Sequence, residues 1–302
     1  MARKVAISGL WSLALLLFWS PLRAASDLAL NDDRYVQILA APLIFAFLMY
    51  WERKRIFAEV AWDAAIGIPL LALALSTYLI FLKRATYANA SGRLCLAVLA
   101  LIFGCMAVFI LCYGRQSFRA AHFPLWCLLL AVPVPAWAMD KITVALQHGS
   151  AATSYEMLRL FGVPVFAQEM RLSLPGLEIE VAPECSGIRS FLALALLAIV
   201  VSRICLRNGW SRIALVISTI PIAILKNAVR ISVIALLSAY VDRAFLHGPI
   251  HRYGGLVFTP LAVALFVAVL SGLRRSEIWM GRRLEMQHRL PEAVSAASVR
   301  AT

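Results

Sequence analysis

Three side chains in this sequence could together run acyl-transfer chemistry: the thiol of Cys185, the guanidinium of Arg230 and the imidazole of His251. A thiolate attacks a carbonyl, an imidazole gives and takes the protons, and a fixed cation stabilises the oxyanion that forms. Of the six cysteines, those at 95, 105, 112, 127 and 205 lie within or at the ends of apolar runs, where cysteine packs as a small hydrophobe. Cys185 stands apart, in the polar stretch Pro183-Glu184-Cys185-Ser186-Gly187, with no cysteine near it. No CxxC occurs, so neither a metal site nor a redox pair is expected, and no cofactor. A thiol at a helix N-terminus beside Arg or His is held more readily as thiolate. A lone cysteine is more often structural, so its weight here comes from what lies at the same depth.

The stretch Lys226-Asn227-Ala228-Val229-Arg230-Ile231-Ser232 puts two cations inside an apolar run. Charges in a membrane span are costly and usually face a functional interior. From Ile213 to Arg230 a helix rises about 25 Å, close to the thickness of a bilayer core, so Arg230 reaches the outer level where Cys185 is expected. The bland alternative is that both cations reach for headgroups along their aliphatic stems. That account fits Lys226 better than both cations at once with Asn227 between them. His247 and His251 precede the last apolar run and fall on the same side. Gly248-Pro249 marks a turn, which puts His247 at a loop tip and ties His251 to the helix start, so His251 is the candidate acid/base. Arg189, one helical turn past Cys185, either contacts substrate or anchors at the interface. Asn227 either binds substrate, orients Arg230 or bonds the helix backbone. Ser186 is a candidate cap.

These residues must be positioned by membrane helices. The chain has 302 residues, 62% hydrophobic and 15% charged, well outside the composition of a soluble domain. Eight apolar runs follow one another: Val5–Pro21, Tyr35–Trp51, Ala61–Leu82, Leu94–Tyr113, Phe123–Met139, Ile188–Cys205, Ile213–Tyr240 and Gly254–Leu273. The expected fold is an all-α polytopic membrane protein of about eight spans, forming a single domain over 1–302. Ile213–Tyr240 is long for one crossing and short for two. Trp19, Pro21 and Arg23 make a poor cleavage region, so the first helix is expected to be retained.

The net charge of +13 forms no basic face and points to topology rather than nucleic acid. With the N-terminus inside, the cytoplasmic segments Ala2–Lys4, Trp51–Arg55, Gly114–Arg119, Leu206–Arg212 and the basic tail 274–302 all carry Lys or Arg. Lys83, Arg84 and Arg93 break the pattern. The one sizeable outer loop is 140–184. Within it, Lys141–Phe161 reads as an amphipathic helix. The alternation of Met170, Leu172 and Leu174, then Leu177, Ile179 and Val181, around Pro175-Gly176 reads as a hairpin before the sixth span.

The sequence resembles the exosortase/archaeosortase family of membrane transpeptidase-like cysteine enzymes. The resemblance runs through most of the chain: Asn31-Asp32-Asp33-Arg34-Tyr35, Ala131-Val132-Pro133-Val134-Pro135, Gly162-Val163-Pro164-Val165 and Leu174-Pro175-Gly176. Its strongest points are Glu184-Cys185-Ser186-Gly187-Ile188-Arg189-Ser190, Lys226-Asn227-Ala228-Val229-Arg230-Ile231, and His251 with Gly255 and Phe258. Glu184 marks a departure from members with a small residue there. The resemblance implies a catalytic set of Cys185, Arg230 and His251. It also implies partners: exported proteins ending in a short motif such as Pro-Glu-Pro, a transmembrane helix and a basic tail, with a surface glycan as possible acceptor. The site would lie on the periplasmic face of a bacterial inner membrane, among membrane lipids. Arg189 and Asn227 are the substrate-binding candidates.

Two other classes stay open on the sequence, a transporter and a noncatalytic subunit of polysaccharide synthesis or export. For the transporter the sequence shows no inverted repeat and no acidic intramembrane residue fit for ion coupling; the subunit would not need Cys185. A serine intramembrane protease is disfavoured because no Gly-x-Ser-x-Gly occurs.

Overall fold

The structure is a computed structural model, and it describes residues 18–83, 90–182, 186–246 and 257–299, with positions 9, 12, 16 and 255. Cys185, His247 and His251 lie outside the described residues, as does most of the Val5–Pro21 run. The chain divides into two compact units, Met1–Lys141 and Ile142–Thr302.

The first unit is helical: α1 (Trp19–Asn31), α2 (Gln37–Trp51), the short α3 (Arg53–Ile56), α4 (Ala64–Lys83) and α5 (Ala90–Cys127). α1 buries Pro21, Ala25 and Ala29, a stripe at four-residue spacing. Between α1 and α2, Asp32 accepts the backbone N–H of Arg34, whose guanidinium bridges Asp32 at 2.8 Å and Asp140 at 3.0 Å. α5 is two helices meeting at Gly114, whose φ of 84° and ψ of 170° turn the chain sharply. Glycine is required there: a Cβ would also stand 2.6 Å from the carbonyl oxygen of Ala61. The expected span Phe123–Met139 is broken, since α5 ends at Cys127, a single 3-10 turn covers Leu128–Ala131, and helix resumes only at Ala136. Pro133 and Pro135 explain this, because proline disfavours helical backbone at the residue before it and removes an N–H donor.

The second unit is built on α6 (Ala136–Leu160) from Ile142 onward, a sheet, α7 (Ile188–Cys205), α8 (Gly209–Tyr240) and α9 (Thr259–Val299). The expected hairpin is a three-stranded antiparallel sheet: β1 (Phe166–Gln168), β2 (Arg171–Leu174) and β3 (Leu177–Glu180). Leu172 faces Ile179 and Leu174 faces Leu177, as alternation requires. β1 is an edge strand with all residues exposed, so it carries no hydrophobic pattern to read. The buried side of the sheet packs Leu172, Leu174 and Val181 with Ala151 and Leu158 of α6 and Ile231 and Ala235 of α8. The opposite side carries Arg171 near Glu180 at 3.4 Å.

α8 is one helix of 32 residues, about 48 Å long, which exceeds a bilayer core of about 30 Å. Ile213–Tyr240 is therefore a single element whose ends project. Leu194, Ala198, Leu215, Ile222, Ala262 and Phe266 form the core shared by α7, α8 and α9. The turn between α7 and α8 is held from α9: Glu277 accepts the backbone N–H groups of Arg207 at 3.0 Å and Asn208 at 2.8 Å.

Among the described residues, four helices are long and apolar enough to cross a membrane: Asp33–Trp51, Gly92–Ala131, Ile188–Cys205 and Gly209–Tyr240. Ala64–Leu79 is a shorter apolar helix. Leu94–Tyr113 lies in the first arm of α5, and Phe123–Met139 takes in the end of its second arm and the broken stretch after it. Leu43, Leu96 and Ile217 stay exposed on these helices, an arrangement suited to lipid and costly in water. The chain is a mostly helical multi-pass membrane protein.

Candidate active site

α7 begins directly after the Cys185 motif, and its start is built from three residues. Gly187 is the N-cap with φ of 78°, in the left-handed region. Ser186, fully buried, accepts the N–H of Ile188 on its hydroxyl at 3.3 Å, so it caps the helix from one residue further out than a standard N-cap. A Cβ at Gly187 would stand 3.3 Å from Cγ of Asn227, so only glycine satisfies both the backbone angle and the close approach.

Asn227 is fully buried in α8 and donates its amide to the Ser150 hydroxyl of α6 at 3.0 Å. α6 presents a buried polar stripe for this purpose, comprising Gln147, Ser150 and Ser154. Ser154 reaches the carbonyls of Ser150 at 2.7 Å and Ala228 at 3.3 Å. Gln147 donates to the carbonyl of Val181 at 2.7 Å, which fixes the chain just before Pro183. The residues on both sides of Cys185 are thus held: Val181 by Gln147, and Ser186-Gly187 by the helix start and Asn227.

One turn before Arg230 on α8, Lys226 is 1% exposed and donates from Nζ to the Ser190 hydroxyl of α7 at 2.8 Å. Arg230 is buried too, at 9% exposure, on the same helix face. A cleft of about 620 Å³ opens between α7, α8 and α9. Arg189, Ser190 and Lys226 line its polar end with Gly255 and Thr259, and Ala193, Leu197 and Val263 belong to its apolar remainder. The three motifs picked out in the sequence, around Cys185, Arg230 and His251, therefore each have described neighbours on one cleft. Gly255 stands four residues after His251, and Arg189 four after Cys185.

Arg189 is exposed and lines the cleft. Asn227 does not line it and packs behind the start of α7. Lys226 and Ser190 went unassigned on the sequence, where a lysine near a helix end fitted an interfacial anchor. The signal was present: a lysine flanked by Asn227 in an apolar run has no soluble surface to reach. Among the described residues no group of His, Cys, Asp and Glu is placed to hold a metal.

A family model described as Transmembrane exosortase matches residues 29–268 of the chain. Among curated proteins and among solved structures, none matches it.

Proposed function

The chain belongs to the transmembrane exosortase family, and from that premise we propose that it is a membrane cysteine peptidase or transpeptidase. It acts on the C-terminal sorting signal of exported proteins, a short motif followed by one transmembrane helix and a basic end, at the outer face of the bacterial inner membrane. The observation that supports this is the shared cleft: Arg189, Lys226 and Gly255, each four positions from Cys185, Arg230 or His251, line one cavity.

The chemistry follows from the residue types. The Cys185 thiolate adds to the scissile carbonyl carbon, and Arg230 stabilises the oxyanion. The tetrahedral adduct collapses, the C–N bond breaks, and His251 gives a proton to the leaving amine. A thioester on Cys185 remains. Water, or a hydroxyl of a surface glycan, adds to it and loses its proton to His251, the C–S bond breaks, and Cys185 leaves as the thiolate. Asn227 serves by holding the start of α7, and Arg189 contacts the substrate at the cleft mouth.

Processing of a cognate precursor in cells tests this. Cys185→Ala should stop cleavage while the protein stays in the membrane. Arg230→Lys should lose about 100- to 1000-fold in rate, because lysine keeps the charge without the planar fork of donors. Normal processing by Cys185→Ala would turn the reading toward a noncatalytic subunit.

A second reading rests on one contact. Ser190 Oγ lies 2.8 Å from Lys226 Nζ, the geometry of a Ser–Lys nucleophile and base. In that case Ser190→Ala, and not Cys185→Ala, would stop cleavage.

A further inference from the structure

We propose that Lys226, with Ser190 and Arg189, forms an anion subsite that holds a carboxylate of the substrate peptide beside the bond to be cut; this rests on the peptidase reading above. Lys226 is 1% exposed and lines the cleft. A buried ammonium needs compensation, and it carries three donors. One goes to Ser190 Oγ at 2.8 Å. Among the described residues no carboxylate pairs with it. Among the described residues the lining of the cleft holds Lys226, the hydroxyls of Ser190 and Thr259, the exposed Arg189, and no acid. Ser190, having accepted from Lys226, keeps its own hydrogen to give. A cleft so lined is complementary to an anion with several acceptor oxygens.

The position selects the source of that anion. Lys226 and Arg230 are four residues apart on α8, so their Cβ atoms stand roughly 5–6 Å apart. Ser190 is five residues beyond Cys185. A group bound by Lys226 therefore sits within a side chain's length of the oxyanion donor and belongs to the molecule being attacked. The apolar remainder, with Ala193, Leu197 and Val263 along it, suits the apolar run that follows the acidic residue. A lipid phosphate held in the same place would occupy the site rather than serve it.

The test uses the full-length protein in phosphatidylcholine nanodiscs. The probes are two synthetic peptides, Pro-Glu-Pro followed by an apolar helix and a basic end, and its Pro-Gln-Pro counterpart. Binding is read by anisotropy on the Cys185→Ala protein, so it does not depend on catalysis, and cleavage is read on the protein with Cys185 intact. The Glu peptide should bind roughly 10- to 100-fold more tightly than the Gln peptide, the worth of a charge-assisted contact. Lys226→Gln should erase that preference, and Lys226→Arg should keep part of it, with melting temperatures confirming that both variants fold. In cleavage, Lys226→Gln should raise KM for the Glu peptide toward that for the Gln peptide.

If neither peptide is cut but the Lys226-dependent preference persists in binding, the subsite stands and the peptidase reading falls. Equal affinity for the two peptides, or no binding of either, overturns the subsite. So does a preference that survives Lys226→Gln, which would move recognition to another part of the chain. Two further results also overturn it: a phospholipid retained by the purified protein and lost in Lys226→Gln, and loss of cleavage with unchanged binding in Ser190→Ala.

Discussion

Asn227 gives its amide hydrogen to the Ser150 hydroxyl at 3.0 Å while its Cγ stands 3.3 Å from where a Cβ on Gly187 would lie. One buried amide thus ties α6 and α8 to the start of α7, two residues after Cys185.

Gly187→Ala should therefore damage the site more than its size suggests. Alanine in the left-handed region costs about 1–2 kcal/mol, and the Cβ must also displace Asn227. Thermal unfolding of the purified protein should fall by a few degrees, and processing should fall further. Unchanged melting and unchanged processing would show that the start of α7 is more pliant than its packing.

The orientation of α7 sets a second expectation. Ile188–Cys205 has 18 residues and rises about 27 Å, so Cys185 and Cys205 mark opposite ends of a span. In intact spheroplasts a membrane-impermeant thiol reagent should label Cys185 and leave Cys205 unlabelled until the membrane is opened. The reverse pattern would invert the topology.

The parts of this fold that are legible in the sequence are those with a strong period or a punctuating residue. Leu172, Leu174 and Val181 announce the buried side of the sheet by alternation, and Pro175-Gly176 announces its turn. Gly114 was grouped with the basic residues of a loop, which is where α5 turns. β1 left no trace because an edge strand of Phe166, Ala167 and Gln168 buries nothing. The run Phe123–Met139 misled because hydropathy averages over Pro133 and Pro135, two prolines so close together that helix does not resume until Ala136, whereas the single Pro124 is carried inside α5. At the site, the catalytic candidates were visible as odd residues at one depth. The buried stripe of Gln147, Ser150 and Ser154 was not, since small polar residues on an amphipathic helix look the same whether they face water or Asn227.

Glu277 gives a pH-dependent contact on the opposite end of the bundle. Partial burial raises its carboxyl, but the N–H groups of Arg207 and Asn208, the Ser211 hydroxyl and the Arg212 charge outweigh that and hold it below the ordinary value of 4.5. A depressed carboxyl stabilises fully above 4.5, and its contribution is lost as pH falls through the lower folded value. Amide exchange at Arg207 and Asn208, relative to Glu277→Gln, should be slower at pH 5 to 8 and converge with it well below pH 4.5. Equal exchange in both proteins at pH 7 would remove Glu277 from this role.

The two histidines of the last loop should differ. His251 stands four residues before Gly255 of the cleft lining, and His247 lies beyond the Gly248-Pro249 turn. A reacting group must be held to within about 0.5 Å, which a residue tied to a helix start can meet. His251→Ala should eliminate cleavage and His247→Ala should spare most of it, measured as the ratio of mature to precursor substrate at matched enzyme levels. Equal loss in both would assign the role to the loop as a unit.

The most direct test of the central claim is the covalent intermediate. Purified enzyme mixed with substrate and quenched in acid should show, by mass spectrometry, the acyl fragment attached at Cys185. The adduct should be released by neutral hydroxylamine, as a thioester is, and be absent from Cys185→Ala. An acyl fragment on Ser190, or continued cleavage by Cys185→Ala, would contradict the account.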